Sequence, residues 1–152
     1  MAASTVIIGV GNCDRGDDGV GLVVARGLSD RISADIRILE TGGDAAAIVD
    51  ALAGVRRAIL VDAAQSAAPP GTIHRFDAAA GAVPADILRL SSHSFGAAAA
   101  IELARALGEL PPRTTVYGIA GVNFAEGAEL HPAVQQAAIS VMAQIRKELQ
   151  AQ

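Results

Sequence analysis

A chain of 152 residues suits one domain burying about two thirds of its unfolded surface. Its 16 acidic and 12 basic residues give a net charge of -4 with no basic run, which argues against nucleic acid or an anionic membrane as partner. A single cysteine excludes an internal disulfide and a cysteine-cage zinc site, and it fits a reducing cytosol.

The chain opens on V-I-I-G-V-G-N-C-D-R-G-D-D-G-V-G, residues 6–21. Residues 6–10 read as a fully buried strand, a glycine-rich turn follows, and after the acids Asp17 and Asp18 the spacing of Val20, Val23, Val24 and Leu28 predicts a helix over 19–29. Residues 35–40 alternate and read as a second strand. Beyond the turn T-G-G-D, Asp44 is placed to N-cap a helix through Ala53. The apolar run 58–62 ends in Asp62 and predicts a central strand, followed by a loop over 63–71 containing P-P-G. Residues 72–76 form a short alternating strand suited to an edge. The segment 78–92 is poorly patterned, with one helical turn expected at 86–90. His93 precedes a helix over 94–107, Pro111-Pro112 breaks the chain, and 114–120 reads as a strand. A loop over 121–130 leads to a last helix whose first residue is Pro132, with Val134, Ala138, Val141, Ile145 and Leu149 on one face.

Strands alternating with helices predict a three-layer α/β/α sandwich of phosphorylase/hydrolase-like type, built as one domain over residues 1–152. The loop before residue 72 is too short for a parallel crossover, so that strand is expected antiparallel in a five-stranded mixed sheet. Hydrophobic residues make up 51% of the chain but only four are aromatic (three Phe, one Tyr), so the core must be Ala, Val, Ile and Leu at close range. The opening M-A-A-S-T has no basic n-region, and the alanine-rich stretch 96–107 is interrupted by Glu102 and Arg105. The expectation is a cytoplasmic monomer without membrane insertion.

Parallel α/β sheets bind ligands beyond the carboxyl ends of their strands, where the strand order reverses. With the first and third strands adjacent and the second outside the first, Asp18, Asp62 and His93 share that rim. Two carboxylates and an imidazole suit a borderline divalent metal, and equally an acid/base set. Each residue has a plainer reading. One of Asp17 and Asp18 is expected to cap the first helix, turn hydrogen bonds can satisfy Asp62, and His93 between serines reads alone as a loop histidine. Gly9-Val10-Gly11 begins like a dinucleotide fingerprint, but Asp14 holds the third glycine position and would repel pyrophosphate. Cys13 is surrounded by acids that oppose a thiolate, His74 reads as a half-exposed strand residue, His131 as a capping or exposed one, and no nucleophile elbow surrounds any serine.

The motif G-V-G-N-x-x-x-G-D-D-G-V-G, then I-L-V-D-A, then S-S-H-S-F-G, together with Gly42-Gly43 and the late E-L-H-P-A-V, resembles the hydrogenase maturation endopeptidases over nearly the whole chain. The resemblance implies a peptidase that removes a C-terminal extension from the large-subunit precursor of a nickel-iron hydrogenase once nickel is inserted. It implies that Asp18, Asp62 and His93 are both catalytic and metal-contacting, and that Gly42 and Gly43 help recognise the precursor. The nickel belongs to the substrate and is contacted transiently, so no tightly held resident metal is expected. Two features depart from the pattern. Many members carry Glu where this chain has Asp18, and the segment N-C-D-R (12–15) is more polar than usual.

Without a serine or cysteine nucleophile, the expected attack is by water assisted by the divalent ion. The alternative mechanism lets Asp18 and Asp62 share a proton as in an aspartyl endopeptidase. The alternative function is a non-catalytic, metal-dependent checkpoint docking on a maturing metalloprotein.

Overall fold

The computed structural model describes residues 4–29, 33–82 and 96–151. In chain order the elements are β1 (Thr5–Val10), a short 3-10 helix (Gly16–Gly19), α1 (Val20–Leu28), β2 (Ile36–Thr41), α2 (Ala45–Leu52), β3 (Arg57–Ala64), β4 (Ile73–Asp77), α3 (Gly96–Ala106), β5 (Arg113–Ala120) and α4 (Pro132–Ala151). The helical turn expected at 86–90 lies outside the described residues.

The strands form one sheet in the order β2-β1-β3-β5-β4. β1 pairs in parallel with β2 and β3, and β3 in parallel with β5. β4 runs antiparallel to β5 at the edge. The expected mixed sheet, the adjacency of first and third strands and the reversed edge strand are all present. β1 and β3 are buried along their whole length, as continuous apolar runs in a parallel sheet covered on both faces must be. The edge strands β2 and β4 are only partly buried, with some residues exposed. α1 packs with α4 and α2 with α3, giving two helical layers around the sheet. Asp44 caps α2 as expected, its carboxylate accepting from Ala46 N–H at 3.0 Å.

One boundary differs with consequence. β3 runs two residues past Asp62, because it continues to pair with β5 as far as Ala64 opposite Ala120. Its pairing with β1 stops at Val61 opposite Gly9. Asp62 therefore lies inside a strand, at the point where a crevice opens between β1 and β3.

The core is aliphatic and tight. Val6, Ile7, Ile8, Ile59, Leu60, Val61 and Ile119 fill it, Tyr117 is the one fully buried aromatic among the described residues, and alanines line the inner side of α3. Each fully buried large aliphatic side chain contributes roughly 1.5–3 kcal/mol. Backbones approach closely at Gly21, where a Cβ would sit 2.3 Å from the Val61 carbonyl oxygen and 2.4 Å from that of Val10. α1 thus begins pressed onto the ends of both central strands, and only glycine fits. Gly21→Ala is expected to lower stability by about 3 kcal/mol, the upper range for overpacking, because both obstacles are backbone. Denaturant unfolding checks this, and a change below about 1 kcal/mol would mean α1 can lift away without loss.

Candidate active site

The site is assembled from the first loop and the end of β3. Asp18 lies in the 3-10 helix after β1 and is 3% exposed, while Asp62 on β3 is 1% exposed. Asp18 is fixed through its backbone. Its N–H donates to the Arg15 carbonyl at 3.2 Å and its carbonyl accepts from Asn12 N–H at 3.2 Å. Gly11 packs on that carbonyl so closely that a Cβ would lie 1.9 Å from it. Gly11 therefore serves backbone packing around Asp18.

Asp62 is poorly compensated. Its Oδ1 accepts from Ala63 N–H at 2.8 Å, and Oδ2 has no hydrogen-bond partner among the described residues. Burial drives its carboxyl well above the usual carboxylate range, and the nearby Asp18 charge raises it further. The amides of Ala63 and of Ala97, in the first turn of α3, oppose the shift without cancelling it. The structure thus brings Asp18 and Asp62 within electrostatic reach of each other, with α3 beginning beside them. His93 lies outside the described residues. Gly42 and Gly43 form the turn after β2, Gly42 exposed and Gly43 buried at φ +100°. Among the described residues no group of three or more His, Cys, Asp or Glu is gathered to hold a metal.

Neither acid of the D-D pair caps α1. The N-cap is Gly19, which makes no side-chain cap bond. Asp17 does something that sequence reasoning missed. Fully buried, it accepts from Val122 N–H at 2.8 Å and Asn123 N–H at 3.0 Å through Oδ2, and from His131 N–H at 2.8 Å through Oδ1. One carboxylate thereby ties the first loop to both ends of the 121–131 connection. Backbone bonds reinforce the tie, Asp17 N–H to Asn123 at 2.9 Å and Gly127 N–H to Asp14 at 2.7 Å. The polar segment 12–15 is partly explained by the same contacts. Asn12 Oδ1 accepts from Asp14 N–H at 2.9 Å, and Arg15 Nε reaches the Phe124 carbonyl at 3.4 Å.

The remaining candidates are accounted for. Cys13 is exposed. His74 is half-buried on β4, stacked on Phe76 with Nε2 3.4 Å from Ser66 Oγ. His131 caps α4, its Nδ1 accepting from Ala133 N–H at 3.0 Å, which leaves the ring proton on Nε2.

The family model HycI, hydrogenase maturation protease, matches residues 23–148. The chain belongs to the hydrogenase maturation protease family. Solved structures carry the same fold. HybD, a hydrogenase maturating endopeptidase from E. coli, superposes with a TM-score of 0.80 at 22% identity over 99% of this chain and 93% of that one. The [NiFe] hydrogenase maturation protease HycI from Thermococcus kodakarensis KOD1 gives 0.76 at 20% identity, covering 97% and 93%. HybD from Thermococcus kodakarensis gives 0.69 at 24% identity, covering 98% and 99%. Comparison with curated proteins gives no match. As a member of this family the chain is a hydrolase of hydrogenase maturation. The matched span holds Asp62, Gly42 and Gly43 of the maturation protease, whereas Asp17 and Asp18 precede it. No helix among the described residues is long and apolar enough to cross a membrane.

Two predictions separate the neighbouring acids. Asp17→Asn must turn an amide NH2 toward at least one of three backbone donors, so it should cost about 3 kcal/mol. Equilibrium unfolding measures this, and an unchanged midpoint would show that the loop is held otherwise. For Asp62 the sign runs the other way. A carboxyl raised in the folded state contributes most below its ordinary value, and that contribution is lost as pH rises through the folded value. In metal-free protein, Asp62→Asn should remove this loss and leave the variant at least as stable as the parent at neutral pH. Thermal unfolding from pH 4 upward tests it, and an Asp62→Asn variant that is less stable than the parent at neutral pH would overturn it.

Proposed function

We propose that the chain is an endopeptidase removing the C-terminal extension of a nickel-loaded [NiFe]-hydrogenase large-subunit precursor, with Asp18, Asp62 and His93 as its site. One observation carries this reading: a carboxylate buried at the β1/β3 crevice, with one oxygen that has no partner and no basic group that shifts it among the described residues, and a second buried acid beside it. Among the described residues nothing positive offsets the Asp62 carboxylate, and a divalent ion carried in by the substrate supplies that charge. The donor set of carboxylates with one imidazole suits nickel. His93 joins the proposal from the sequence, since it stands four residues before Ala97, whose amide favours the ionised Asp62.

In this mechanism Asp18 and Asp62 hold the precursor by its metal and so align the scissile peptide. Water attacks its carbonyl carbon, adding to it, and the peptide C–N bond breaks as the amine takes a proton. The ion, part of the substrate, polarises the carbonyl or lowers the pKa of the water. The raised Asp62 carboxyl favours a second mechanism in which it keeps a proton and donates it to the leaving amine, with Asp18 as its charged partner. Gly42 and Gly43, at the carboxyl end of β2 on the same rim, are assigned to precursor recognition. The exposed Cys13 and Asp14 flank that rim and give the polar 12–15 loop a part in choosing the precursor. A cytoplasmic monomer without a resident metal completes the reading.

The test is cleavage of purified precursor with and without nickel, alongside elemental analysis of the protease. Expected are a largely metal-free protein, processing of nickel-loaded precursor only, and loss of at least about 100-fold in rate for Asp62→Asn and His93→Ala in folded variants. Stoichiometric zinc with cleavage of nickel-free precursor would make this a resident-metal peptidase. Binding of precursor without any shortening would favour the non-catalytic checkpoint.

A further inference from the structure

The opposite pole of the sheet, where the parallel strands begin, carries a concentration of positive charge at odds with an acidic chain. A cavity of about 480 Å³ opens there between the starts of β1, β2, β3 and β5 and the end of α4. Arg56, Arg57 and Arg113 line it. Arg57 and Arg113 are direct register partners across β3 and β5, and Arg113 N–H donates to the Arg56 carbonyl at 3.3 Å. Three arginines therefore line one opening.

The acids nearby are already committed. Glu148 pairs with Arg75, whose Nε donates to it at 2.8 Å. Asp35 accepts from Ser33 Oγ at 2.6 Å and Ser4 Oγ at 3.2 Å. Among the described residues no carboxylate forms an ion pair with Arg56, Arg57 or Arg113. Arg57 is the most exacting of the three. It is 9% exposed, its Nη1 donates to the Glu148 backbone carbonyl at 3.1 Å, and its Nε is buried without a partner among the described residues. The carbonyl at the end of α4 accounts for one donor of five. It leaves a buried cation beside a second one, and burial and the Arg113 charge weigh against it more than the Glu148 charge favours it.

We propose that this cavity binds a small organic phosphate, a phosphate monoester with a hydroxyl-bearing body. The arginine forks match the oxygens of a dianionic phosphate, and Arg56 and Arg113 are exposed enough to receive it. Beyond them the wall turns apolar at Ile36, Pro112 and Leu149, which accommodates a carbon skeleton. The Asp35 carboxylate, oriented by two serine hydroxyls, also lines the cavity and accepts from ligand hydroxyls while repelling a second phosphate.

Calorimetry on the full chain tests this with ribose 5-phosphate, and with inorganic phosphate and ribose in separate arms. Saturable one-to-one binding of ribose 5-phosphate is expected, inorganic phosphate at least about fivefold weaker and ribose undetected. Arg56→Ala and Arg113→Ala should each weaken binding by about tenfold with unfolding temperature unchanged, and added salt should weaken it too. Asp35→Asn should erase the advantage over inorganic phosphate. No saturable heat up to about 10 mM ligand, undiminished binding in both arginine variants, or inorganic phosphate binding as tightly as the ester would overturn the proposal. None of these readouts depends on precursor cleavage.

Discussion

The carboxylate of Asp17 is the junction on which the active end of the molecule depends. It sits fully buried in the 3-10 turn after β1 and accepts three backbone N–H bonds from the connection between β5 and α4. Charge-assisted bonds of this kind are roughly twice as strong as neutral ones, and three of them offset the cost of removing a carboxylate from water. The partners lie more than 100 residues away in sequence, so one side chain closes the molecule at its functional end. Once the turn is fixed, the backbone of its neighbour Asp18 is held through Asn12, Arg15 and the close approach of Gly11. Gly21, one turn later, seats α1 on the ends of β1 and β3. The opening motif is thus a packing device that delivers a single acid to a crevice.

Much of this was legible because the strongest signals are local. The buried runs at β1 and β3, the helix-start chemistry at Asp44 and the short loop before β4 each declare themselves within a few residues. The short loop also forces the antiparallel edge, which leaves few arrangements for the sheet. Asp62 was legible for an energetic reason, since an acid closing an apolar run is expensive unless something partners it. The end of β3 was not. Ala63 and Ala64 are small and precede polar residues, and they are strand because β5 lies beside them.

Non-local partners account for the other misses. Two adjacent acids before a helix both look like caps, and nothing within the first 30 residues shows that one is reserved for amides near residues 122–131. The arginines at the opposite pole are equally silent in sequence. Arg57 and Arg113 begin separate strands 56 positions apart, and only the order β3-β5 sets them side by side. Local pattern reveals which segments form strands, whereas a cluster of charge at one end of a sheet depends on strand order.

Asp17 and Asp62 are the same residue type, almost equally buried, linked through Asp18, and treated in opposite ways. Asp17 has a partner for every demand of its charge. Among the described residues, Asp62 has one amide from its own neighbour, a weaker one from α3, a buried acid nearby and an unbonded oxygen. Packing does not require this, because Ala63 and Ala64 on the same strand are apolar and equally buried. A fold that can satisfy one buried carboxylate completely and leaves the next in deficit holds that deficit at a chosen place. Under the proposed reading the missing charge arrives with the precursor, so a substrate lacking its metal meets an Asp62 that burial and Asp18 hold toward its protonated form, and gains no metal contact by binding. Selectivity for the loaded precursor then follows from electrostatics already present in the free protease.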